Sequence, residues 1–133
     1  MTRTLCGMVL LIVTTHAASA LPGSPQQRAE MFATCAGRLQ AMATRQRADR
    51  DPDANQTERF SADFLMLLEA TLPAAIADGL TPQQAVTWRS SGWVEVAYLL
   101  ADRYYSHDPT RIDRATQRLS ERLSHCRDLI LPG

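Results

Sequence analysis

Two cysteines, Cys35 and Cys126, stand near opposite ends of the chain with none between them. No other feature constrains the fold as strongly. Sulfurs that bond across such a distance in sequence force the first and last structured segments to lie side by side. The remaining cysteine, Cys6, falls in the leading stretch MTRTLCGMVLLIVTTHAASA. That stretch reads as an export signal. Arg3 supplies the positive start, Leu5 to Val13 an apolar run too short to span a bilayer, and Ala18-Ser19-Ala20 a small-x-small cleavage pattern. Cys6 precedes the apolar run, so it does not read as a lipidation cysteine.

Residues 1–20 are therefore expected to be removed, leaving one domain over 21–133 that starts at Leu21. Removal of Cys6 leaves an even pair in an oxidising compartment, the periplasm or outside the cell. There a pair is most simply a disulfide, Cys35–Cys126. It would close a loop of about 90 residues. By loop-closure entropy that is worth roughly 4–5 kcal/mol before any strain. A redox role would call for Cys-x-x-Cys, which is absent. A zinc site through His125 places adjacent residues on different sides of a helix.

Helical periodicity fills the rest of the chain. The first helix opens at Ser24-Pro25 and carries Met31 or Phe32, Cys35, Leu39 and Met42 on one face, widened by Ala29, Ala36 and Ala43. It is expected to fade near Arg45, before a polar loop over 46–57. A second helix starts at Thr57 and buries Phe60, Phe64, Leu67 or Leu68, and Leu72. Pro73 marks an end or a kink, and Gly79 a C-cap. Thr81-Pro82 opens a third helix, with Val86, Trp93, Ala97, Leu100 and Tyr104 on one stripe. Gly92 is read either as a break or as a close backbone approach. Asp108-Pro109 opens the last helix, which carries Ile112, Ala115, Leu119, Leu123, Cys126 and Ile130. The expected fold is all-α: a small up-down bundle of four helices, or five with a break at Gly92, its first and last helices joined by the disulfide.

Charge excludes some functions. Fourteen arginines face fourteen carboxylates, with no lysine. This balance argues against a nucleic-acid binder, which needs a basic excess. Beyond residue 20 no uninterrupted apolar run is long enough to span a bilayer, so no stable membrane insertion is expected after signal removal.

Candidate chemistry is sparse. Asp49, Asp51, Asp53 and Asn55 alternate like the first ligands of a calcium loop, but Ala54 replaces the required glycine and Phe60 the bidentate glutamate. A solvated acidic loop is the simpler reading, and no metal or cofactor is expected. His107 and Asp108 read as a surface histidine and a cap, Ser90 and Ser91 lack a nucleophile frame, and Glu69 and Glu95 are carboxylates without catalytic spacing. Trp88, Trp93, Tyr98, Tyr104 and Tyr105 concentrate aromatics in one region. Trp93 and Tyr104 fall on the core stripe. Trp88 and Tyr98, with Arg89, fall off it and form the candidate partner surface. The arginines at 111, 114, 118, 122 and 127 line the outer side of the last helix and read as a solvated face.

The segments MFATCAGRLQA and HCRDLI resemble those of small exported helical proteins of alphaproteobacteria. The resemblance implies a periplasmic location and a paired role for Cys35 and Cys126; it carries over no catalytic residue. The expected function is non-catalytic binding of another periplasmic protein or an envelope component, with a stress- or acid-protective holdase as the second reading.

Overall fold

The computed structural model describes residues 23–131. The signal sequence read in 1–20, with Cys6, lies outside the described residues. Four α-helices of nearly equal length follow one another: α1 (Pro25–Ala48), α2 (Ala54–Ala77), α3 (Pro82–Tyr105) and α4 (Pro109–Ile130). Among the described residues there is no strand. At 1.5 Å per residue each helix is about 35 Å long. Short links over 49–53, 78–81 and 106–108 reverse the chain and give a four-helix bundle.

The helix starts follow the local chemistry. Ser24 caps α1 in a reciprocal box, its hydroxyl accepting from the Gln27 amide while the Gln27 side chain accepts from the Ser24 amide. The Asp108 carboxylate accepts from the Thr110 amide at the start of α4. Pro82 and Pro109 occupy first-turn positions where no N–H is needed. Gly79 ends α2 with φ 97°, the Leu80 amide reaching back to the Ala75 carbonyl.

Two boundaries differ from the sequence expectation, and the choice left open at Pro73 is decided. α1 runs to Ala48, and its end is built on Arg50, which takes φ 58° without being glycine. The Asp51 amide closes that turn on the Gln46 carbonyl. α2 begins at Ala54 rather than Thr57, behind Asp53, whose side chain makes no capping bond. Pro73 lies inside α2, which continues to Ala77.

α1 is the central helix. It packs along α2 on one side and α3 on the other, while α2 and α3 meet little beyond the turn that joins them. α4 leans on α3 and touches α1 over a short stretch. In that stretch Cys35 and Cys126 are disulfide-bonded, both fully buried. The core gathers Phe32, Leu39, Phe64, Leu68, Val96, Leu100, Leu119 and Leu123 around α1. Small residues let the neighbours in. Ala29, Ala33 and Ala36 are wholly covered, and the buried Ser61 hydroxyl on α2 donates to the Ala36 carbonyl at 2.9 Å.

The α1–α3 crossing is closer still. Gly37 lies against the Arg89 backbone and Gly92 against the Thr34 backbone. Gly92 is thus a close approach within a continuous helix, not a break. The buried line of α3 is Ala85, Gly92, Val96 and Leu100. Trp93 and Tyr104, expected in the core, are 41% and 43% exposed. The reason is steric: a crossing this tight admits glycine and alanine, and turns the bulky stripe outward by about one residue, or 100° of helix.

Candidate functional site

A single carboxylate links three helices. On α3, Glu95 Oε2 accepts from Arg38 Nε at 2.8 Å and Nη2 at 2.7 Å on α1. Its other oxygen, Oε1, meets Arg122 Nε on α4 at 2.8 Å. Both Glu95 oxygens are thus engaged, and Glu69 sits elsewhere, exposed on α2. The arrangement suits a structural clamp rather than proton transfer. Glu95→Gln is expected to lower stability by about 1–2 kcal/mol, below the cost of breaking a fully buried pair because Glu95 is about a third exposed. In urea the midpoint should fall with an unchanged slope, and added salt should shrink the difference.

A second polar cluster closes the C-terminal end of the α1–α3 pair. Arg45 bonds the Asp49 carboxylate at 2.7 Å and the Tyr105 hydroxyl at 3.2 Å, and its guanidinium lies 3.7 Å from the centre of the Tyr104 ring. The Asp49 hydrogen bond, then that to Tyr105, raise the Arg45 pKa above its ordinary value, so the side chain stays cationic wherever the fold persists. Arg103 approaches the same ring at 5.4 Å. Tyr104 is therefore an anchor for arginine, a use its place on the apolar stripe did not signal.

The remaining sequence candidates are scattered. Trp88 is half-buried against the core, Arg89 donates to the Gln40 side chain at 2.8 Å, and Tyr98 is 72% exposed. Trp88 and Tyr98 stand about 15 Å apart along α3, with Arg89 beside Trp88. Asp49 is taken by Arg45, and Asp51 accepts from the Asp53 amide. Among the described residues no group of three or more histidine, cysteine or acidic side chains converges as a metal site. Ser90, Ser91, His107 and His125 are all exposed. On the arginine-rich side of α4, Arg111 faces Asp102 at 3.7 Å and Arg122 holds Glu95.

Exposed large apolar side chains occur on α3, where Val86, Val94 and Tyr98 join Trp93 and Tyr104 at the surface, and on α2. Met66, Leu67 and Ile76 are 61%, 40% and 44% exposed. Ala70, Pro73, Ala74 and Ala77 are exposed beside them. Met66, Ala70, Pro73 and Ala77 follow helical spacing and form one outward stripe. Counted by composition rather than by uninterrupted run, α2 is long and apolar enough to cross a membrane, yet only 22% of its most apolar stretch is buried in the bundle. The sequence expectation missed this because Asp63 and Glu69 interrupt the run. Those two carboxylates border Met66 at steps of three. No family model matches the chain, and neither a curated protein nor a solved structure does. α2 as a whole has α1 as its one substantial neighbour among the described helices. Its outer side offers an apolar strip with two acids set in it.

Proposed function

We propose that this is a non-catalytic binding protein of the periplasm, and that it docks another protein through the outer face of α2. The observation that carries this reading is the mismatch on α2: a helix long and apolar enough to cross a membrane, with Met66, Leu67 and Ile76 left 40–61% exposed on its outer side. Exposed apolar surface of this extent marks interaction sites. A protein partner fits better than a lipid surface. Interfacial membrane helices carry a basic polar face, whereas Asp63 and Glu69 here would face anionic headgroups. The complementary partner is an apolar helix with arginine or lysine at its rim. The Cys35–Cys126 disulfide is compatible with an oxidising compartment outside the cytoplasm, and the leading sequence supports export.

A photo-crosslinking residue at position 66, compared with one at Gln117 on the outer side of α4, tests the proposal. A discrete adduct with one envelope protein at 66, absent at 117 and lost in Leu67→Gln/Ile76→Gln, is the expected result. That double variant should melt within a few degrees of the parent, since both side chains are exposed. Equal adducts at both positions, or lipid adducts alone, would refute it. Adducts with many unrelated proteins, rising in acid, would instead favour a holdase.

A further inference from the structure

Where α1 ends, α2 begins and α4 ends, the three helices leave a cleft of about 250 Å³. Leu39 and Met42 of α1, Phe60 of α2 and Leu123 of α4 give it an apolar wall. Gln46 of α1 lines the same cleft and is only 8% exposed. Its side-chain Oε1 accepts no hydrogen bond, the sole such buried side-chain atom among the described residues. Buried amide oxygens are rarely left without a donor, and each exception asks for an explanation. Asp53, just before α2, and Arg127 on α4 also line the cleft, both exposed to solvent. Neither side chain has an ion-pair partner among the described residues, and the two do not pair with each other.

We infer that this cleft binds a small zwitterion with an apolar side chain, of the class of free aliphatic or aromatic amino acids. The cleft has an exposed carboxylate, an exposed guanidinium and an apolar wall, and Gln46 adds a buried acceptor without a donor. An α-ammonium group supplies the missing donor to Gln46 Oε1 and faces Asp53. An α-carboxylate suits the Arg127 guanidinium. The hydrocarbon side chain lies on Leu39, Met42, Phe60 and Leu123. The volume falls below the range of drug-sized pockets, which fits a ligand of this size. Water alone would leave the apolar wall wet, whereas an amino acid covers that wall and meets both exposed charges at once. The site is separate from the α2 strip at Met66–Ala77, and the inference does not rest on that reading.

Calorimetry on the oxidised protein with L-leucine and L-phenylalanine is the test. 4-Methylpentanoate, which lacks the ammonium, and leucinamide, which lacks the carboxylate, are the controls. At least one amino acid should bind with Kd of about 1 mM or tighter, and each control roughly ten- to a hundredfold more weakly. Gln46→Met keeps length and removes the orphaned oxygen. It should raise the melting temperature of the ligand-free protein while weakening the amino acid at least about tenfold. Arg127→Gln, at an exposed position, should abolish the preference for leucine over leucinamide. The inference is overturned if neither amino acid gives heat or shifts the NMR signals of Leu39 and Phe60 at about 10 mM, whatever Gln46→Met does to stability. Binding of 4-methylpentanoate as tightly as leucine would overturn it equally.

Discussion

Cys35→Ser/Cys126→Ser, or reduction of the parent, should lower stability by roughly 4–5 kcal/mol and the melting temperature by roughly 15–25 °C. The bond joins residues 91 apart, so its loss frees nearly the whole folded chain in the unfolded state. A domain of this size has about 5–15 kcal/mol in all, so the reduced protein is brought close to the threshold of folding at 37 °C. The loss should also be uneven. α1 keeps its long interfaces with α2 and α3, whereas α4 has α3, the Glu95–Arg122 contact and a short meeting with α1. With the sulfurs parted, α4 is the helix with least to hold it. Amide exchange in the serine variant should therefore accelerate first and most over 109–130, ahead of 25–48. Uniform acceleration, or a melting point within a few degrees of the parent, would mean that the staple adds little to a bundle already closed by packing. On the oxidised, denatured chain lacking 1–20, thiol titration should find no free thiol.

The parts of this fold that could be read in advance are those set by local chemistry or by a face of uniform size. The starts of α1, α3 and α4 carry a capping residue followed by proline, and each helix begins there. The α4 stripe from Ala115 through Cys126 is buried as its spacing indicates, because leucines alternate with arginines and no backbone approach disturbs it. The ends of α1 and α2 were harder. Arg50 takes the left-handed position usually held by glycine, so no residue type announces the turn. Gln46 shows the consequence. Read as part of a polar loop, it drops out of view. Read as helix, it continues the Cys35, Leu39, Met42 face and must be buried. The α2 face was invisible for another reason: periodicity tells which side of a helix is apolar only when another side is polar, and the second half of α2 is apolar nearly all round. The aromatic stripe of α3 misled because size, not hydrophobicity, decides what faces α1.

That last point yields a sharp expectation. Gly37→Ala and Gly92→Ala should each destabilise the protein by about 3 kcal/mol or more, although alanine is the better helix former by about 1 kcal/mol. A Cβ on Gly37 would lie 2.0 Å from the Arg89 carbonyl oxygen and 2.9 Å from the Trp93 amide nitrogen. One on Gly92 would lie 2.3 Å from the Thr34 carbonyl oxygen. These are backbone atoms of opposing helices and cannot turn aside as a side-chain tip can. α1 and α3 must separate, which strains the Arg38–Glu95 bridge and opens the core around Val96. Both glycines serve the same crossing, so the double variant should cost less than the sum of the singles: once the helices have parted for one methyl, the second finds room. Gly23→Ala, with nothing within 4 Å of the added carbon, is the control and should be neutral. Equilibrium urea unfolding of the four proteins measures the cycle. Single variants as stable as the parent would show that the helices do not cross this closely, and the outward rotation of Trp93 and Tyr104 would then lose its cause.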